Sequence, residues 1–355
     1  MSLSQFAFQS ALPMLFVVAL NLACPASILA QGKGGGRGTT SPPELVYRND
    51  DAIITLATAD GEVVAELTGG NKGFTIMRTP TWSPDGSQIA YLEGTDLKEG
   101  GTIFDLYVMN VDGTGKTLMH QFENYLYITH PEHHDLKWLP GDYLSYRDAY
   151  SIAILDMIRG TSQRIDLNQW HDYFDQSSIG PGIDPTTPGS QGLLVYKAYD
   201  QGVTNGSDIH LAVLTADTDG ALQFDPTTIR HLDLPGDQGF PVVSPDQTKV
   251  VFYDNATGGA GSIISTVSLD YSSGVEFGSV QELIVGTGFQ EFRGFPTWSP
   301  DSQWVAFAWT KPDQKGERRW EIARLSSDGS AFINVTQSRS HEYAPEWIPI
   351  VPQQD

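Results

Sequence analysis

The chain has 355 residues, and 43 acidic against 21 basic side chains give it a formal charge of −22 at pH 7. Nucleic-acid binding and attachment to anionic membranes both depend on clustered Lys and Arg, so this balance argues against either partner. Hydrophobic residues make up 40% and charged residues 18% of the chain. These fractions are typical of a folded globular protein and exclude a largely disordered one.

The first 30 residues contain no Asp, Glu, Lys or Arg, and an apolar stretch runs through residues 11–22. A bilayer span needs about 20 apolar residues, so this stretch is too short to cross a membrane. It predicts a signal peptide over residues 1–30, cleaved after Ala30, and therefore a periplasmic or extracellular protein. The first cation is Lys33, later than in most signal peptides. A misassigned start and an uncleaved anchor therefore stay open as alternatives.

The only cysteine, Cys24, lies inside this segment. Cleavage after Ala30 would leave a mature chain without a thiol, which excludes disulfides and Cys-ligated zinc. The residues before Cys24 are similar to a bacterial lipoprotein signal, but Asn21 stands where an aliphatic residue is expected, so a lipid anchor is only an alternative. Residues 31–43 are rich in Gly and Pro and predict a flexible linker.

Repeated segments decide the fold. Three segments align without gaps, a fourth is a degenerate copy and a fifth is truncated: residues 80–94, 241–255, 296–310, 135–149 and 345–349. The best copies contain P-T-W-S-P-D, in which Pro and Asp favour a tight turn. Alternating β-branched and aromatic residues follow and indicate a second, half-buried strand.

A further strand ends in a glycine turn six times, at intervals of about 54 residues. The terminal glycines are Gly61, Gly113, Gly160, Gly220, Gly274 and Gly329. A short fourth strand follows each turn. Six units of four short antiparallel strands predict an all-β fold, a six-bladed β-propeller over residues 44–350 with a tail at 351–355.

The ends of the chain predict how the ring closes. The first unit begins at Glu44 without an innermost strand, whereas residues 344–347 form a spare one at the other end. Joining the N- and C-terminal strands would complete the last blade. Blade four is the weak point of the prediction, because residues 169–192 offer no clear innermost strand.

The paired motifs T-W-S-P-D-G-S-Q-I-A-Y and D-L-Y-V-M-N-V-D-G carry a family resemblance. They resemble the TolB-type, WD-like propeller repeat, and the resemblance covers nearly all of residues 44–350. It implies the fold and says little about activity. TolB itself has an additional domain between its signal and its propeller. Because only residues 31–43 intervene in this chain, it is predicted not to be TolB.

In a propeller, the loops that enter the innermost strands lie at one mouth of the central channel. Aligning the repeats on their Trp position brings a polar, mixed-charge set of residues to this mouth: Arg78, His133, His134, Asp237, Gln238, Glu291, Arg293, His341 and Glu342. We predict a ligand-binding site there, with His133, His134 and His341 as candidate ligands of a divalent metal. The alternative interpretation is a set of solvated loop residues with cross-blade ion pairs.

The sequence therefore predicts an exported binding or scaffold protein for an envelope protein, a peptide or a glycan. The alternative is a metal-assisted lyase or hydrolase that acts on an extracellular polysaccharide or peptide at the channel mouth. The chain contains no G-x-S-x-G, P-loop or H-E-x-x-H motif. We accordingly assign no catalytic residue and predict no cofactor, while a divalent metal stays an open alternative.

Overall fold

The structure is a computed structural model, and it describes residues 44–49, 54–67, 75–96, 102–124, 136–148, 151–167, 171, 173–199, 207–255, 263–284, 291–312, 318–338 and 340–349. These residues form 24 β-strands in six four-stranded antiparallel sheets. No helix long and apolar enough to cross a membrane occurs within these ranges. The predicted signal peptide and linker lie outside the described residues, so export stays a prediction.

The six sheets are the blades of a β-propeller, and they follow one another around the ring in chain order. Blade one contains β1 (Leu45–Asn49), β2 (Ile54–Ala57), β3 (Val63–Glu66) and, as its innermost strand, β24 (Glu342–Trp347). Blade two contains β4 (Thr75–Trp82), β5 (Gln88–Asp96), β6 (Thr102–Asn110) and β7 (Thr117–Asn124). Blade three contains β8 (Lys137–Leu139), β9 (Tyr143–Asp148), β10 (Ser151–Asp156) and β11 (Thr161–Asp166).

The second half of the ring has the same organisation. Blade four contains β12 (Tyr173–Ile179), β13 (Gln191–Tyr199), β14 (Asp208–Ala216) and β15 (Leu222–Leu232). Blade five contains β16 (Asp237–Val243), β17 (Lys249–Asn255), β18 (Ile263–Asp270) and β19 (Glu276–Ile284). Blade six contains β20 (Glu291–Trp298), β21 (Trp304–Pro312), β22 (Arg318–Ser326) and β23 (Phe332–Asn334).

The ring closes as the sequence predicts. Strand β24 pairs antiparallel with β1, and the paired positions run from Leu45 opposite Trp347 to Asn49 opposite Glu342. Leu45 and Trp347 lie in one hydrophobic cluster that blade one shares with blade six. Burying these side chains in the closing blade gives the seam the same kind of core as the other blade interfaces.

Blade four has the innermost strand that sequence analysis did not find. Strand β12 pairs with β13, but a bulge interrupts the register at Gln176, whose φ is +43°. The connection to β13 is the loop 180–190 instead of a tight S-P-D-G turn. In this loop Asp184 accepts hydrogen bonds from the Thr186 amide (2.9 Å) and hydroxyl (2.6 Å). The bulge and the longer loop remove both local signals on which the repeat alignment depends.

Aspartates cap the turns of the blades. Asp85 accepts hydrogen bonds from the Ser83 hydroxyl (2.6 Å) and the Ser87 amide (3.0 Å). Hydrogen bonds from the Thr114 hydroxyl and amide lower the pKa of the Asp112 carboxyl. Those from Ser326 and Ser330 lower the pKa of Asp328 in the same way. Part of the acidic composition is therefore explained by turn chemistry.

These lowered pKa values predict acid sensitivity. Below about pH 4 the unfolded chain binds protons that the folded turns bind only at lower pH, so protonation favours unfolding. Melting temperatures measured between pH 5 and pH 2 should therefore fall as pH falls. A double variant, Asp112→Asn with Asp328→Asn, should be less stable at pH 6 and should show a shallower decline. Parallel declines for the two proteins would contradict the assignment.

Candidate functional site

The structure describes part of the predicted channel mouth. Asp237 begins the innermost strand β16 and is exposed, and its carboxylate accepts hydrogen bonds from the Ser207 amide (3.0 Å) and hydroxyl (3.2 Å). The next residue, Gln238, is buried, and its side-chain amide donates to the Pro235 carbonyl and to Asp254 Oδ1, both at 3.2 Å. Both side chains therefore hold the loop that enters blade five.

His341 and Glu342 precede and begin β24 at the same mouth. The Trp320 amide donates a hydrogen bond to His341 Nδ1 at 3.1 Å, and in a neutral ring this places the proton on Nε2. The His341 ring stacks on Tyr343, with centroids 6.1 Å apart and an interplanar angle of 7°. Glu342 is buried, and its charge adds to burial in raising the pKa of the Tyr47 hydroxyl. Both residues are therefore integrated into the packing of blades one and six.

The other predicted mouth residues are described only in part or not at all. Arg78 lies in β4, and Glu291 and Arg293 lie in β20, and the structure describes the backbone alone at these three positions. His133 and His134 lie outside the described residues. In the part of the chain that is described, no group of three or more His, Cys, Asp or Glu is placed to hold a metal ion. The ligand site and the metal site at the mouth therefore stay predictions.

Protein side chains fill the middle of the channel. Glu346, on β24, accepts hydrogen bonds from the Thr81 hydroxyl (3.2 Å) and the Trp82 amide (3.1 Å) of blade two. The ammonium group of Lys137 in blade three approaches the same carboxylate at 3.0 Å. One carboxylate thus links three neighbouring blades. The Glu346 side chain is 15% exposed and the Lys137 side chain 41%, so solvent weakens the ion pair but not its geometric role.

Bulges in the innermost strands narrow this part of the channel further. Gln176, Phe240 and Ala344 all have positive φ (43°, 53° and 49°) and all line the channel. The bulge in β16 frees the Phe240 amide from its ladder, and Gln176 Oε1 accepts its hydrogen bond at 2.7 Å across the blade interface. The cavity lined by these residues is about 80 Å³. Small-molecule sites usually measure about 300–1,000 Å³, so this cavity is smaller than a typical small-molecule site.

A much larger cavity lies between blades three and four, on the face opposite the predicted mouth. We call it the interblade cleft, and its volume is about 700 Å³. Its walls are the turn between β10 and β11, the loop 180–190, and the turn between β14 and β15. The lining includes Tyr143, Asp156, Arg159, Pro185, Thr186 and Asp219. This volume falls within the usual range for ligand sites.

An ordered ion pair forms one wall of the interblade cleft. Asp156 Oδ2 accepts a hydrogen bond from Arg159 Nη1 at 2.7 Å, and Tyr143 Oη lies 3.4 Å from the same nitrogen. Burial alone would raise the pKa of the Asp156 carboxyl, but hydrogen bonds from the Arg159 amide and guanidinium lower it. The same contacts raise the pKa of Arg159. Both groups therefore stay ionised at neutral pH.

The turn of blade four meets the preceding blade differently from the turns of blades one, two and six. In blades one, two and six the turn glycine lies close to the backbone of the preceding blade, as Gly113 does to the Leu67 carbonyl. In blade four the nearest atom to a Cβ built on Gly220 is the Tyr143 hydroxyl, at 2.6 Å. Gln163 spans the gap instead: its amide donates to the Leu222 carbonyl (2.6 Å) and accepts from the Leu222 amide (2.8 Å).

Sequence analysis did not identify the interblade cleft, although the repeat contains a signal. The innermost turn of blade three reads L-P-G-D, blade four has the loop 180–190, and the turn at residues 157–160 reads M-I-R-G without the usual Asp. The turn at residues 157–160 and the loop 180–190 contribute to the lining of this cleft, and the L-P-G-D turn directly precedes the lining residue Tyr143. A search for degenerate repeats that are neighbours in the ring would have found it.

A closed ring of six four-stranded antiparallel blades defines the class of protein: a six-bladed β-propeller. TolB from Acinetobacter baumannii has a similar structure, with a TM-score of 0.57 and 16% identity over 86% of this chain and 67% of that chain. Identity this low shows the fold alone. The predicted TolB-like architecture is confirmed at that level, and the low identity agrees with the prediction that the chain is not TolB itself.

Two further solved structures are more distant in shape. A putative TolB from Agrobacterium tumefaciens has a TM-score of 0.48 and 17% identity over 87% of this chain and 100% of that chain. A gluconolactonase from Xanthomonas campestris has a TM-score of 0.43 and 10% identity over 85% and 86%. These two TM-scores are too low to carry an argument. No protein-family model and no curated protein matches the chain.

Proposed function

We propose that the protein is an exported binding or scaffold protein that engages an envelope protein, a peptide or a glycan. The observation that carries this proposal is the interblade cleft of about 700 Å³ on a rigid ring. Its walls are turns held by side-chain hydrogen bonds, so a partner would meet a preorganised surface and little ordering entropy would be lost on binding. A propeller ring also leaves only short sheet edges and presents many loops on a fixed frame.

The N-terminal sequence supports export. Residues 1–30 carry no charged side chain and contain the apolar stretch 11–22. Removal after Ala30 would release a chain that carries the whole net charge of −22. Such a charge supports solubility and a selective surface outside the cytoplasm.

Affinity capture with the mature chain tests the proposal. Residues 31–355 are immobilised, incubated with native envelope and secreted fractions, and the bound material is read by mass spectrometry. We expect a saturable partner that excess free protein displaces. Ser162→Trp, which introduces bulk into the interblade cleft, should reduce capture at least tenfold. The matched control Leu118→Trp changes the second residue of β7, which is 50% exposed, and should leave capture unchanged.

Two results would contradict the proposed function. The first is that no protein or glycan is retained above the level of a blank matrix under mild conditions. The second is that excess free protein does not displace the retained material, which would identify it as non-specific. Thermal melting of both Trp variants must match the parent, so that a loss of capture reports on the cleft and not on folding.

A further inference from the structure

The wall of the interblade cleft contains a cation where the repeat predicts an acid. The turn between the third and fourth strands contains Asp-Gly in four blades, but in blade three it contains Ile158, Arg159 and Gly160. Arg159 lines the cleft, and its neighbour in the turn, Ile158, is 77% exposed. The chain has a net charge of −22, yet at the turn that borders this cavity a cation replaces the Asp of the repeat.

Arg159 is held in place through one side of its guanidinium group. Nη1 donates to Asp156 Oδ2 at 2.7 Å and to the Tyr143 hydroxyl at 3.4 Å. Asp156 is itself fixed, because its Oδ1 accepts from the amides of Ile158 (3.0 Å) and Arg159 (2.9 Å). The turn thus orients the carboxylate, and the carboxylate orients the guanidinium.

The other edge of the guanidinium group is open. Within the described residues, no group accepts a hydrogen bond from Nε or Nη2 of Arg159, and the side chain is 64% exposed. Two parallel N–H groups on one edge match the two oxygens of a carboxylate and form a bidentate pair with it. Because Asp156 already fixes the group, little side-chain entropy would be lost when such a pair forms.

The remaining lining distinguishes between classes of ligand. Thr161, Ser162 and Thr186 supply hydroxyl groups, and Pro185 supplies an aliphatic surface. These groups fit the alternating amides and side chains of an extended peptide. Sugar rings usually need an exposed aromatic face, but the aromatic residue lining this cleft, Tyr143, is only 8% exposed. The chemistry therefore favours a peptide over a glycan.

We propose that the interblade cleft binds an extended peptide segment, and that the Nε and Nη2 edge of Arg159 holds a carboxylate of that segment. The carboxylate belongs either to an Asp or Glu side chain or to a free C-terminus. Ile158, exposed beside Arg159, contacts an apolar side chain of the same segment. This proposal rests on the proposed function and narrows its partner to a protein with an accessible acidic or C-terminal segment.

Peptide selection tests the proposal. A library of random heptapeptides with free C-termini is selected on residues 31–355 and counter-selected on the Arg159→Met variant. Enriched peptides should bind the parent at least tenfold more tightly than Arg159→Met in fluorescence polarisation. Two modified peptides identify the source of the carboxylate. In one, Asp or Glu is replaced by Asn or Gln, and in the other the C-terminus is amidated. Only one of these changes should reduce the affinity for the parent at least tenfold. Arg159→Lys should recover only part of the affinity, because it lacks the fork.

A matched control uses another arginine. Arg230→Met removes a cation paired with Glu276 at 2.6 Å that does not line the cleft, and it should leave peptide affinity unchanged. Equal melting temperatures for the parent and the Arg159 variants exclude a folding defect.

Three results would overturn the peptide assignment: no enrichment over the counter-selection, equal affinity of enriched peptides for Arg159→Met, and full recovery with Arg159→Lys. The acidic oligosaccharide oligogalacturonate serves as a glycan competitor. If it displaces the labelled peptide at a lower concentration than the unlabelled peptide does, the cleft is assigned to a glycan instead. If affinity capture yields a partner that Arg159→Met retains, this inference fails alone. If capture yields none, the proposed function fails.

Discussion

Deletion of residues 341–355 should abolish the cooperative folding of this propeller. The deletion removes β24, the innermost strand of blade one, and leaves β1 without a partner on its inner side. It also removes the Trp347 side chain, which is only 7% exposed, and the Glu346 carboxylate that links three blades. Losing a buried Trp alone costs about 3–5 kcal/mol, which is a large part of the ~5–15 kcal/mol that stabilises a domain.

Circular dichroism of the soluble protein monitors thermal unfolding. Deletion of residues 350–355 is the matched control, because it leaves β24 intact, and it should melt like the parent. Co-expression of a segment covering residues 340–355 with the shortened chain should restore soluble protein, since the strand can add to the open edge of β1. Cooperative melting of the shortened chain within a few degrees of the parent would show that the seam does not stabilise the ring.

The sequence predicted the ring well because its signals are local and repeated. Each turn needs Pro, Asp or Gly at fixed offsets, and the strand pairing then follows from chain order. The spare strand at residues 344–347 was recognisable for the same reason, and it pairs with β1 as predicted. The strand β12 was missed because its bulge at Gln176 and the loop 180–190 replace these local signals.

The sites depend on contacts between distant parts of the chain, and sequence reasoning found them less well. Glu346 accepts a hydrogen bond from Thr81, which is 265 residues away in the sequence, and no sequence motif predicts that pair. Gln163 meets Leu222 across 59 positions, and this contact spans the interblade cleft. The repeat topology alone predicted that Asp237, His341 and Glu342 lie at one mouth. The hydrogen bonds that each side chain makes there could not be predicted from the sequence.

The seam between blades one and six also contains a glycine that no other residue should replace. Gly61 has a φ of +85°, and a Cβ built on it would lie 1.7 Å from the Val335 carbonyl oxygen of blade six. Gly160 ends the equivalent turn of blade three with a φ of +66°, and a Cβ there meets nothing within 4 Å. Gly160→Ala should therefore cost only the left-handed backbone strain, about 1–2 kcal/mol.

Gly61→Ala must add the displacement of a backbone carbonyl to the same strain, so we expect a total loss of ~3 kcal/mol or more in the free energy of unfolding. Urea unfolding of both variants, with equal m-values, measures the difference directly. Because the two glycines occupy the same position in the repeat, turn propensity alone predicts equal losses. Equal losses of unfolding free energy would therefore refute the close contact between Gly61 and Val335. A larger loss for Gly61→Ala would support this contact at the interface between blades one and six.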